Sequence, residues 1–173
     1  MTIFQSARLR LVPATPALVE AQLADDRPAL ERLLGAGLTP SWPPPLLDEG
    51  ALKWFLGLLA DPDNDGWLLY FIVTNEGSPA AVGTCGFKGK PVDGAVEIGY
   101  SLVPEAQGRG YATEAARALI GLAFSRPGVS RVIAETFPEL TASIRVMEKC
   151  GLTFDGPGAD PGAIRYARTA EVI

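Results

Sequence analysis

The sequence contains no histidine, and of its 173 residues only Cys85 and Cys150 are cysteine. Without an imidazole, proton transfer falls to a carboxylate, a tyrosine, a cysteine, a water or the substrate itself. Two cysteines make neither a disulfide framework nor a zinc-ligand spacing. That usage fits a reducing cytoplasm. Net positive charge is also missing: 15 Lys and Arg against 20 Asp and Glu leave −5. This argues against a nucleic-acid binder and favours a cationic partner, such as an amine or a basic polypeptide. Long apolar runs are absent too. The run at 68–73 is far short of the roughly 20 residues that span a bilayer, so no membrane partner is expected. The stretch around Arg8 and Arg10 lacks the apolar core of a signal peptide.

What remains is 47% hydrophobic and 20% charged, the balance of a soluble globular protein, and the length fits one domain over 1–173. Residues 7–14 alternate and predict a first strand. Thr15 before Pro16 marks a helix to about Leu23, and a second helix over 27–34 closes at Gly35. The proline-rich segment 39–50 excludes regular structure, and Asp48 caps a third helix over 51–60. The cluster "DPDNDG" (61–66) reads as a turn, because it lacks the distal glutamate of a calcium loop. Strands are then predicted over 67–74, 80–89 and 95–103, a helix over Tyr111–Phe124, a strand over 131–137, a helix over Thr141–Lys149 and a weak last strand over 164–172. A meander followed by strand–helix–strand units implies an α/β mixed sheet with helices on its faces.

Chemistry concentrates in "EAQGRGYATEA" (105–115). Glycines at a helix mouth let backbone N–H groups close around a phosphate, where the helix dipole attracts anions. A tight strand-to-helix turn without ligand is the plain alternative. No P-loop string is present. The dinucleotide pattern is nearly met by Gly108, Gly110 and Thr113, with Glu135 about where a ribose-binding acid belongs. Its third glycine is absent, however, and "PEAQ" (104–107) separates strand from loop. The pattern [QR]-x-x-G-x-[GA] is met by Gln107, Gly110 and Ala112.

At this point the chain resembles a known family. "VEIGYSLVPEAQGRGYATEAARALIGLAF" (96–124) is similar to the coenzyme-A motif of the GCN5-related N-acetyltransferases (GNAT). "RVIAETFPELTASIRVMEKCGLTF" (131–154) resembles the adjoining strand and helix, and within the family the branch that acetylates N-terminal amines of ribosomal proteins is most similar. The resemblance implies a central, mostly antiparallel twisted sheet with a splayed strand pair and helices on both faces. It implies acetyl-CoA as donor, and as acceptor a protein N-terminus or a small-molecule amine. A catalytically weak coenzyme-A-binding module is a further alternative, and the protein is expected as a monomer or homodimer.

Mapped onto this sequence, the resemblance gives the pyrophosphate to the backbone of Gly108, Arg109, Gly110, Tyr111 and Ala112, with Thr113 nearby and Gln107 opening the motif. Arg109 either adds a contact to phosphate or points to solvent. The pantetheine arm pairs with the strand edge around Leu102 and Val103, and the acyl carbonyl lies near the main-chain N–H close to Val103. Glu97 is a carboxylate inside an apolar strand and the candidate base, directly or through a water. A cross-strand ion pair with Lys88 is its structural alternative. Ser143 stands where the family places a serine near the thiol; it either assists the departing thiolate or satisfies backbone N–H groups at the helix start. Tyr100 reads as packing. Leu140 replaces an asparagine common in relatives, and Met147 occupies the position of a tyrosine acid in other branches, so the acid is unassigned. Cys85 and Cys150 read as small buried residues. Trp42, Trp54 and Phe55 either line the acceptor pocket or belong to the core.

Overall fold

Local capping chemistry starts the first helices. In the computed structural model, which describes residues 2–170, Thr15 accepts from the Leu18 amide and opens α1 (Pro16–Leu23), with proline in its first turn. Asp26 does the same for α2 (Arg27–Leu34), which ends on Gly35 in a left-handed conformation. Asp48 accepts from Ala51 N at 2.8 Å and opens α3 (Glu49–Ala60). The acidic turn after α3 organises around Asp61, which accepts from the Asp63 amide and the Asn64 side chain. None of the described helices is long and apolar enough to cross a membrane.

The strands are β1 (Phe4–Gln5), β2 (Leu9–Pro13), β3 (Gly37–Leu38), β4 (Leu69–Thr74), β5 (Ala80–Phe87), β6 (Ala95–Leu102), β7 (Arg131–Thr136), β8 (Thr153–Pro157) and β9 (Ile164–Thr169). They form one open sheet in the order β1-β2-β4-β5-β6-β7-β9-β8, with β3 pairing β5. All neighbours are antiparallel except β6·β7 and β3·β5. The long strands stand where periodicity predicted them, trimmed by one or two residues at most ends. The strand predicted from 67 starts at Leu69, because the Trp67 amide closes the preceding turn on the Asn64 carbonyl. The edge pieces β1, β3 and β8 were not predicted; two-residue strands carry no period, and β8 is interrupted by Gly156. The predicted end of β9 at 171–172 lies outside the described residues.

Two helical layers sandwich the sheet. Val96, Ile98 and Leu102 of β6 are buried beneath α4 (Tyr111–Phe124), whose inner face is Ala115, Ala116, Leu119, Ile120 and Ala123. Small residues there let the helix approach the strands closely. Successive side chains alternate between faces, so Gly99 and Ser101 look to the other layer, formed by α3 and segment 41–47. Trp42 belongs to that side's core: it stacks on Phe71 at 6.1 Å and donates from Nε1 to Gln22 Oε1 at 2.7 Å. Trp42→Phe strands this buried acceptor and should cost ~1–3 kcal/mol. Denaturant unfolding should show a lower midpoint at unchanged slope.

Candidate active site

The chain leaves β6 through a short 3-10 turn at Pro104–Ala106 and enters α4 through the glycine loop. Gly108 has φ 74° and Gly110 φ 81°, the left-handed region that glycine takes without steric penalty. A Cβ on Gly108 would meet nothing within 4 Å, so conformation rather than crowding calls for glycine there. Gly110 occupies the N-cap of α4 and offers no side-chain cap. Among the described residues, none of the amides of 108–113 donates a hydrogen bond to a protein acceptor. Consecutive free N–H groups at the positive end of a 14-residue helix make a strong anion site.

The loop is tied from behind. Arg8, at the approach to β2, donates from Nε to Glu114 Oε2 and from its amide to Oε1, both at 2.8 Å. Its Nη1 donates to the Arg109 carbonyl at 3.0 Å, and its guanidinium lies 4.8 Å from the Tyr111 ring centre. Ser6 Oγ donates to Glu114 Oε1 at 2.7 Å. Burial pushes the Glu114 carboxyl up, but these hydrogen bonds outweigh it and hold it below the usual carboxylate range. Tyr111 turns inward and donates to Glu76 Oε2 at 2.5 Å, leaving only its amide to the loop. Engaging the Arg109 carbonyl from below favours amides directed outward. The Arg109 side chain itself is exposed.

The sheet parts beside this loop. β6 pairs with β7 only at Ala95, Val96 and Glu97, while its residues 98–102 remain paired to β5 alone. The Lys88 amide donates to the Glu97 carbonyl and the Val103 amide to the Val82 carbonyl, both at 2.9 Å. Odd-numbered residues therefore face β5, and Ile98, Tyr100 and Leu102 present their backbone groups to the gap. The Val103 N–H is itself engaged, so the main-chain N–H groups near Val103 that remain open to the gap are those of Tyr100 and Leu102. Gln107 Nε2 donates to the Leu102 carbonyl at 3.3 Å and closes the far end of the free edge.

Glu97 leaves β6 on the α3 face, is one-fifth exposed and forms an ion pair with Lys88. The cross-strand partner weighed from sequence is thus present, though without good hydrogen-bond geometry at Glu97 Oε1. Ser143 lies in the first turn of α5 (Thr141–Lys149), half-buried. It is joined to Tyr100, whose hydroxyl donates to the Ser143 carbonyl at 3.0 Å and stands 3.3 Å from its Oγ. Tyr100 is therefore more than packing. It spans the gap from β6 to α5, and burial pushes its hydroxyl up to about 12, which keeps it protonated as a donor. The apolar pattern of its strand hid this role. Glu97 and Tyr100 leave the strand on opposite faces, so a carboxylate and a hydroxyl pair flank the gap.

The remaining flagged residues sort by contact. Met147 is buried and Leu140 is half-exposed at the start of α5. Burial pushes the Cys85 and Cys150 thiols up, which disfavours the nucleophilic thiolate. Glu135 does not face the loop as a ribose-binding acid would; it accepts from Arg165 Nε and the Ala159 amide at 2.9 Å and clamps the β8–β9 end. Arg117 and Arg168 border a hollow near the end of α5, where each donates to a helix-end carbonyl. Trp54 and Phe55 line a cavity of about 400 Å³ with Pro45, Leu46, Gly99 and Ser101.

Comparison with known proteins agrees with this geometry. The GNAT acetyltransferase domain profile matches residues 8–153. An uncharacterized N-acetyltransferase of Bacillus subtilis, YjdG, is 29% identical over 161 residues, which cover 92% of this chain and 95% of that protein. The crystal structure of an acetyltransferase from Agrobacterium tumefaciens superposes with TM-score 0.64 at 25% identity, covering 98% of this chain and 95% of that one. RimL, a ribosomal L7/L12 alpha-N-protein acetyltransferase solved in complex with coenzyme A, superposes with TM-score 0.69 at 23% identity, covering 97% and 98%. With most of its length matched by the domain profile, the chain belongs to the GNAT acetyltransferase family and is an N-acetyltransferase with acetyl-CoA as its acetyl donor.

Proposed function

We propose that this enzyme acetylates the N-terminal amine of a protein or peptide by direct attack on acetyl-CoA. The donor pyrophosphate rests on the amides of 108–113, and the pantetheine arm pairs with the free backbone edge of 98–102. The observation that carries this reading is the coincidence of the two: an open row of N–H groups at the end of the one stretch where β6 leaves β7. An activated acyl group laid along that edge reaches the gap between Glu97 and Ser143.

The acceptor must lose a proton before it attacks. An α-amine, with a pKa of about 7.7–8.0, needs far less help than a lysine at about 10.4. Glu97 takes that proton, directly or through a water, before the neutral amine attacks the thioester carbonyl and the C–N bond forms. As the C–S bond breaks, the second proton of the attacking nitrogen passes to the departing thiolate, which Ser143 hydrogen-bonds. Tyr100 is a positioning residue that holds Ser143. The fold likeness to RimL supports an N-terminal amine as acceptor. Thiol release from acetyl-CoA with a panel of peptides and small amines tests it. Faster turnover with peptide α-amines is expected, and turnover confined to polyamines or aminoglycosides would overturn the acceptor assignment.

Tyr100→Phe removes one hydrogen bond of ordinary strength, worth ~0.5–1.5 kcal/mol, so kcat should fall about 3- to 10-fold with KM for acetyl-CoA little changed. Steady-state kinetics reads this split. A rise in KM alone would place Tyr100 in cosubstrate binding instead.

A further inference from the structure

We infer that the acceptor carries a bulky apolar group, branched aliphatic or aromatic, next to its amine, and that this group enters the cavity over Gly99. The inference rests on the acetyltransferase reading and names the substrate class of that same site. Its first support is Gly99 itself. The residue sits mid-strand with no left-handed backbone to require glycine, and a Cβ built there meets nothing within 4 Å. Neighbouring Gly83 and Gly86 differ: a Cβ on either would strike backbone at 2.2 and 2.5 Å. Packing therefore explains those two and leaves Gly99 unexplained, except as an open floor.

The walls are apolar. α3 reads EGALKWFLGLLA, yet Leu52 is its only buried residue. Trp54 is 46% exposed and Leu46 83% exposed, both lining the cavity. Segment 41–47 is held over the opening rather than hanging free: Ser101 Oγ donates to the Pro45 carbonyl at 2.6 Å, and the Ser41 amide donates to Glu105 Oε1 at 3.1 Å. Leu46 takes φ 70°, a conformation uncommon for a non-glycine residue. The volume, about 400 Å³, lies in the range of small-molecule pockets, ~300–1,000 Å³. Lys88 stands in the wall with Glu97 paired to it. The Glu97 carboxylate thus stands next to one end of the cavity, beside Lys88 rather than in the lining itself, and the rest of the lining is mostly apolar, with Thr84, Tyr100 and Ser101 as its polar residues. That polarity matches an amine bearing a hydrophobic substituent.

The test is the kcat/KM of acetyl transfer to peptides beginning with Phe, Leu, Gly, Ser or Asp, and to 2-phenylethylamine and methylamine. Apolar pockets discriminate by about 10- to 200-fold per missing group, so Phe or Leu peptides, or 2-phenylethylamine, should exceed their small counterparts at least 10-fold. Preference for the peptide identifies a first-residue side chain as the occupant; preference for 2-phenylethylamine identifies a free amine. Gly99→Val fills the floor and Trp54→Ala removes a wall; each should lower that ratio at least 5-fold, with thermal unfolding confirming that the variant is folded. Equal rates across the panel, or preference for Gly, Ser or Asp, would overturn the inference while leaving the transferase reading intact. Calorimetric binding of 2-phenylethylamine to the coenzyme-A-loaded protein with no transfer to any probe would support the cavity and overturn the acceptor reading.

Discussion

Gly110→Val should weaken binding of acetyl-CoA about 100-fold. Gly110 holds φ 81° and ψ 5° at the mouth of α4. An L-residue in that region costs ~1–2 kcal/mol, and a β-branched one is a steric outlier. The new Cβ would also stand 3.3 Å from Arg8 Nη2, already tied to the loop. The backbone relieves this strain by rotating peptides, and the rotating peptides are those whose amides would face the pyrophosphate. Losing two charge-assisted hydrogen bonds at ~1.5 kcal/mol each removes ~3 kcal/mol, about 100-fold in affinity. The fold should survive, because the strain is local: a 173-residue chain loses roughly 2–8 °C in Tm for ~1–2 kcal/mol. Isothermal titration and thermal unfolding together read both outcomes. Retained affinity would move the pyrophosphate elsewhere.

Glu97→Gln should lower kcat about 10²- to 10⁴-fold, the usual worth of a positioned general base. The substitution keeps shape and removes the proton acceptor. It also dissolves the ion pair with Lys88, whose side chain is 53% exposed, and such pairs contribute ~0–1 kcal/mol. Stability should therefore barely move while turnover falls by orders of magnitude. Lys88→Met breaks the same pair from the other side and keeps the carboxylate, so its effect on kcat should be far smaller. Comparable losses of activity in the two variants would assign Glu97 to the ion pair and not to proton transfer.

Legibility in the sequence followed the range of the interaction. Thr15, Asp48 and Gly35 act within four residues of themselves, and each marks its helix end as predicted. The glycine loop was readable for the same reason, since its conformation is encoded by Gly108 and Gly110 themselves. Arg8 with Glu114 is separated by 106 residues, and no local pattern announces such a pair. Tyr100 packs against the core as read, but its bond to Ser143 was not legible, because alternation reports which face a side chain takes, not what waits there. Which amide near Val103 faces the gap was not legible, because a shift of one residue exchanges the edge facing β5 for the edge facing the gap. Gly99 and Ser101 carried no signal at all, since a glycine kept for empty space looks like any other.

The bond between Arg8 and Glu114 has a consequence for biosynthesis. A chain emerging from the ribosome exposes its first strand long before the helix that completes the donor cradle. Arg8 must wait for a partner more than a hundred residues behind it, and closing so long a span carries a loop entropy that only the assembled sheet repays. The brace behind the glycine loop thus cannot form until residue 114 has emerged, and a nascent chain halted before it lacks that support.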